Sequence, residues 1–265
     1  MTKESDGETE RKDFFYYLLN SKDSETGTKF TMPELWAEVN LLIVAGSDTT
    51  STSLSATLFY LLNNPSCLRQ LTEEIRSTFD GMDIENIRSG SLLGSCIYLR
   101  ACIDEAMRLS PPVPGHLPRE VQLGGMIIDG YSIPAGTIVG AAAYAIHHNP
   151  NYYPEPFSYI PDRWLPSREH LSPDLAKVTV ETVQSAFCPF SIGPRGCIGK
   201  PLAYIQLMAT LARIVYLFDL KLASPLGGGS SEEEQGRRRT GEYQLEDTFT
   251  SRKDGPMVEF KLRKT

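Results

Sequence analysis

Residues Phe190 to Lys200 read FSIGPRGCIGK, with three glycines, a proline and an arginine crowded around one cysteine. Directly behind them, residues 201–218 (PLAYIQLMATLARIVYLF) place apolar side chains at helical spacing. Gly193, Gly196 and Gly199 permit tight backbone turns and the close approach of a flat partner. Arg195 puts a cation next to the thiol, and the N–H groups at the start of the helix point back towards it. Both effects favour a thiolate at Cys197. A thiolate held this way is either a nucleophile or a ligand to a soft metal centre. No histidine lies nearby in the sequence to serve as a base for a nucleophile. Burial of a small residue accounts for Cys67, Cys96, Cys102 and Cys188, but packing asks for neither Arg195 nor three glycines.

The 265 residues suffice for one large or two modest domains, and the composition is that of a globular protein, 41% hydrophobic and 22% charged. A formal net charge of −7 gives no reason to expect a nucleic-acid partner. The basic run Arg237–Arg239 follows the acidic run Glu232–Glu234, which reads as a solvated loop. An odd number of widely spaced cysteines with no signal peptide argues for a reducing compartment and an intracellular protein. Neither CxxC nor HExxH occurs, so a zinc site is not expected. The adjacent His147 and His148 read as surface or capping residues. Residues 39–62 are the nearest approach to a membrane span, but the polar run Ser47–Ser53 crosses their middle, so a buried soluble helix is preferred and no anchor is expected.

Along the chain, residues 1–12 are charged and read as disordered, and KDFFYYLLN as a short helix in need of something to pack on. Thr31 and Glu34 form a T-x-x-E capping box with Pro33 in the first turn, and Asn64-Pro65 closes the apolar periodicity. A helix of that length, apolar on most sides, should cross the middle of a domain. A second helix is expected from Pro65 to about Phe79 and a third from about Ser95 to Leu109, stopped by Pro111 and Pro112. Residues 120–144, punctuated by Gly124-Gly125, Asp129-Gly130 and Ala135-Gly136, read as a small antiparallel sheet. Residues 147–189 form a long irregular meander. Residues 224–242 read as a flexible excursion, and the alternating MVEFKL (257–262) as a closing strand paired with a run near 243–249.

The loop at 190–199 is similar to the haem-binding loop of the cytochrome P450 family, F-x-x-G-x-R-x-C-x-G, matched at Phe190, Gly193, Arg195, Cys197 and Gly199. The resemblance implies a haem b cofactor with Cys197 as the axial thiolate on the iron, Phe190 packed near that ligand and Arg195 paired with a haem propionate. Two further motifs occur in the family's order. Glu105 and Arg108 in EAMR stand at i and i+3 on one helical face. The family joins such a pair to a meander arginine in a buried structural network, here Arg163 in PDRW, with Trp164 where the family often has phenylalanine. AGSDTT (45–50) resembles the central-helix motif. There Gly46 would let the helix pass close over the haem face, hydroxyls at Thr49 and Thr50 would bond back to helix carbonyls, and Asp48 with Thr49 would carry protons to dioxygen. Arg119 falls where the family often has a second propionate-binding arginine.

The fold implied is mainly α with small antiparallel sheets, the C-terminal half of a cytochrome P450 fold. It would comprise a charged lead-in (1–30), a haem-binding core (31–222) and a flexible loop with a C-terminal β-hairpin (223–265). The implied activity is haem-thiolate monooxygenation of a lipophilic small molecule, using O2 and electrons from an NADPH-dependent reductase. The likeness is to fungal secondary-metabolism members. Full-length members are usually membrane-anchored, and the alternative is a truncated, non-catalytic remnant unable to hold haem alone. Half a pocket should also leave apolar surface exposed.

Overall fold

Thr31 and Glu34 open the longest helix by the chemistry their spacing predicts. The Glu34 carboxylate accepts from the Thr31 backbone N–H at 2.7 Å and from its hydroxyl at 2.8 Å. In the computed structural model, residues 12–167, 171–223, 239 and 241–263 are described. The chain divides into two units, residues 1–47 and 48–265, with the boundary inside that helix.

In the first unit α1 spans Phe14–Asn20, capped by Asp13, whose side chain accepts from the Tyr16 N–H. α2 begins at Met32 and continues through the boundary to Asn63. Phe14, Phe15 and Leu18 of α1 line an apolar cleft with Val39, Leu42 and Ile43 of α2. Among the described residues no helix is long and apolar enough to cross a membrane. The expectation of a buried α2 holds over most of Thr52–Leu62, whereas Leu41–Val44 are exposed.

In the second unit, α3 (Pro65–Thr78), α4 (Ser91–Ser95) and α5 (Ile97–Leu109) precede β1 (Arg119–Glu120), β2 (Met126–Ile128), β3 (Tyr131–Ile133) and β4 (Ile138–Val139). The expected third helix is α5, and α4 is a short helix ahead of it that the sequence reading did not anticipate. The expected small sheet is two separate two-stranded ladders, β1 with β4 and β2 with β3. α6 (Ala143–His147) leads into the meander, which holds a 3-10 turn at Pro161–Trp164, α7 (Pro173–Ala176) and α8 (Val180–Ser185). α9 (Lys200–Leu217) follows the cysteine loop. Leu71 and Ile75 of α3, Leu99 and Ile103 of α5, and Leu207, Leu211 and Val215 of α9 share one core with the C-terminal end of α2. Each such fully buried aliphatic side chain stabilises the fold by about 1.5–3 kcal/mol.

β5 (Phe218–Leu222) leaves α9 without a break, and β6 (Leu245–Thr248) and β7 (Thr250–Lys253) form a hairpin turning at Phe249, whose φ is +79°. β8 (Val258–Leu262) is a closing strand, but its partner is β5, in the register Leu220↔Phe260, and not the run near 243–249. That run is occupied by its own hairpin, while the Phe218 and Phe260 rings meet edge to face at 5.5 Å. The disordered lead-in expected for residues 1–11 and the flexible excursion over 224–238 lie outside the described residues.

Candidate functional site

α5 is buried almost all round, so its polar side chains must find partners inside the protein. Arg108 donates to both Glu105 carboxylate oxygens at 2.8 Å, and Arg163 donates to Oε1 at 2.9 Å. Arg108 also donates to the carbonyls of His147, Pro156 and Ser158, and Arg163 to that of Pro154. These bonds fix the meander to α5. Burial alone would raise the Glu105 carboxyl, but the two guanidiniums outweigh it and hold its pKa down to about 2. Trp164, read only as a departure from phenylalanine, donates its indole Nε1–H to Glu105 Oε2 at 2.9 Å. Phenylalanine has no donor for that bond.

Asp104, one residue earlier, faces α9. Tyr204 donates to its Oδ1 at 2.7 Å and Arg100 to its Oδ2 at 2.8 Å, while the Arg100 guanidinium lies 3.4 Å from the Tyr204 ring centroid. Tyr204 also carries the Phe190 ring at 5.2 Å. The first aromatic of the cysteine loop is thereby seated on the helix that the loop precedes.

The loop is closed by backbone bonds. The Cys197 N–H donates to the Phe190 carbonyl at 2.8 Å, the Gly196 N–H to Gly193 at 2.9 Å and the Ser191 N–H to Cys188 at 3.0 Å. Gly193 has φ +72°, the left-handed region that glycine enters without strain. A Cβ on Gly196 would meet the Gly193 carbonyl at 3.2 Å, tighter than ordinary contact, whereas one on Gly199 would lie 3.7 Å from the Cys197 Sγ. Cys197 is the exposed cysteine, flanked by the exposed Ile192 and Ile198, whereas Cys96 and Cys102 are buried and burial raises the Cys96 thiol to about 11. Arg195 ends a 3-10 turn and is exposed; Arg119 is exposed on β1 and donates to the Pro118 carbonyl. Among the described residues neither guanidinium is paired with a carboxylate.

His147 and His148 are both buried, contrary to a surface placement, although His148 does occupy the C-cap of α6. Burial, helped by the Arg108 charge, pushes the His147 imidazole down to about 3, so it is neutral. Its Nε2 accepts from the Cys188 N–H at 3.0 Å.

On α2, hydroxyls that bond back to carbonyls include Ser47, Ser51, Thr52, Ser53 and Thr57. A Cβ on Gly46 would have nothing within 4 Å. The Asp48 carboxylate bonds to the β6–β7 hairpin. A hydrogen bond from the Thr250 side chain is the main cause of its lowered pKa, and Lys253 Nζ adds its charge at 3.3 Å. Thr52 and Ser251 reinforce the junction, the hydroxyl donating to the Ser251 carbonyl at 3.3 Å. Lys253 and Thr250 had no signal in the sequence, since an exposed-looking hairpin reveals nothing about a partner two hundred positions earlier.

Residues 1–240 match the profile of the family described as Cytochrome P450. A cytochrome P450 monooxygenase of Gibberella zeae is 46% identical over 97% of this chain and 57% of its own length. The cytochrome P450 monooxygenase apf7 of Gibberella fujikuroi is 46% identical over 95% of this chain and 46% of its own. The chain thus spans about half the length of the curated relatives it matches. Among solved structures, the retinoic acid bound cyanobacterial CYP120A1 superposes with a TM-score of 0.73 at 23% identity, covering 95% of this chain and 51% of that one. The cytochrome P450 CYP102L1 also gives a TM-score of 0.73, at 21% identity. These two likenesses show the fold.

Proposed function

This chain belongs to the cytochrome P450 family, and from that membership we propose a haem-thiolate monooxygenase site built on Cys197, acting on a lipophilic small molecule. The observation that carries the reading is an exposed thiol in a loop closed on itself, two positions after an exposed Arg195 that pairs with no carboxylate among the described residues. The donor set fits a haem b group in kind. Cys197 offers a soft ligand to iron, Arg195 and Arg119 offer cations to propionates, Ile192 and Ile198 offer apolar surface, and the open face of Gly193 leaves room for a flat partner. When bound, haem supplies dioxygen activation with electrons from an NADPH-dependent reductase.

The chain's own residues hold and feed that chemistry. The Cys197 N–H bond to Phe190 holds the loop backbone at the cysteine, the Phe190 ring rests on Tyr204, and the Glu105–Arg108–Arg163 network holds the meander that leads into the loop. Asp48, partly exposed and held as a carboxylate by Thr250 and Lys253, would take a proton from water and pass it to the adjacent Thr49 hydroxyl. Gly46 leaves the helix face open. The fungal relatives support a role in secondary-metabolite biosynthesis.

The test is to supply haem to the purified chain, reduce it and add carbon monoxide. The expected result is a red-shifted thiolate-type Soret band that Cys197→Ala abolishes. Failure to take up haem would favour the non-catalytic reading.

A further inference from the structure

We propose that His147 is a positioning residue for the cysteine loop, holding it through a hydrogen-bond chain that ends on the Cys197 backbone. Three bonds make the chain. The Cys188 N–H donates to His147 Nε2 at 3.0 Å, the Ser191 N–H donates to the Cys188 carbonyl at 3.0 Å, and the Cys197 N–H donates to the Phe190 carbonyl at 2.8 Å. Residues 188–191 are contiguous, so the imidazole sets where the loop's closing bond starts.

The other end of His147 is equally fixed. Its carbonyl accepts from Arg108 Nη1 at 2.9 Å, and its ring stacks on Phe187 at 5.4 Å and meets Tyr153 edge-on at 6.2 Å. Tyr153 in turn lies 5.0 Å from the Arg108 guanidinium and donates to the Val183 carbonyl. His147 therefore joins the buried Glu105–Arg108–Arg163 network to the segment that enters the loop.

An imidazole kept neutral and accepting at Nε2 carries its proton on Nδ1. That atom is buried and has no hydrogen-bond partner among the described residues. The fold keeps a donor unsatisfied there while the acceptor nitrogen serves Cys188.

The effect on haem rests on the reading of Cys197 given above; the hydrogen-bond chain does not. In the wild-type chain without haem, nitrogen NMR should show an unprotonated Nε2 with through-bond coupling to the Cys188 amide. A protonated Nε2 would overturn the proposal, whatever any variant does. His147→Phe keeps the backbone carbonyl and the stacking but removes the acceptor, and His147→Gln restores an acceptor. Amide exchange at Cys188 and Cys197 should quicken about tenfold in His147→Phe and return close to wild type in His147→Gln. Wild-type exchange in His147→Phe would also overturn it. On haem addition, the thiolate-type band should weaken in His147→Phe and recover in His147→Gln. If wild type itself shows no such band while the NMR and exchange results hold, the functional reading fails and the positioning role stands.

Discussion

Lys253 Nζ lies 3.3 Å from Asp48 Oδ1, an ion pair between residues 205 positions apart. It ties the acidic residue of the α2 motif to the C-terminal hairpin, with the Thr250 hydrogen bond the largest single cause of the carboxylate's depressed pKa and Lys253 adding a hydrogen bond and its charge. Thr250→Val and Lys253→Met should each raise the Asp48 pKa, read by carbon-detected NMR titration. An unchanged pKa in Thr250→Val would mean that the hydroxyl does not help to hold the carboxylate ionised.

Glu105→Gln leaves two buried guanidiniums sharing a neutral partner. Stripping one member from a buried ion network costs about 3–5 kcal/mol, a large part of the about 5–15 kcal/mol typical of a domain. The urea midpoint of this variant should fall steeply, or the chain should not fold at all. A loss below about 1 kcal/mol would contradict the network's structural role.

Trp164→Phe tests a single bond in that network. Losing the indole donor to a charged acceptor should cost about 1.5–3 kcal/mol, with the Glu105 pKa rising from its depressed value. Unchanged stability would show that the 2.9 Å contact contributes nothing.

Acid stability follows from two groups. The His147 pKa is about 3 when folded and ordinarily near 6.5, so the unfolded chain binds one more proton between those values. Stability is full above about pH 6.5 and falls by about 1.4 kcal/mol per pH unit below it. Glu105, ordinarily near 4.5 and about 2 here, adds a second loss as pH falls from about 4.5 towards 2. The titratable and charged groups around His147 are Arg108, His148 and Glu105, the Cys188 thiol 3.7 Å from its Nε2, and Tyr153 edge-on to its ring. Urea melts across pH 4.5–6.5 should show the first slope in the wild type and its loss in His147→Gln. An equal slope in both would assign it elsewhere.

What was legible in the sequence was local. Thr31 with Glu34, Asn64-Pro65 and the glycines around Cys197 act over a few residues, and each sits where its own chemistry requires. The i and i+3 spacing of Glu105 and Arg108 put them on one face, though only the fold shows both to be fully buried. What the sequence withheld was long-range. Alternation in 257–262 announces a strand but not its partner, and β5 was hidden at the end of a helical pattern. His147 looks like any surface histidine until α6 turns it inward against Phe187, and Asp48 carries no mark of the hairpin that grips it.

Iron K-edge X-ray absorption on the haem-loaded chain addresses the central claim most directly. The account predicts one sulfur scatterer in the first shell of the iron, absent in Cys197→Ala. A first shell of nitrogen and oxygen alone in the wild type would contradict it.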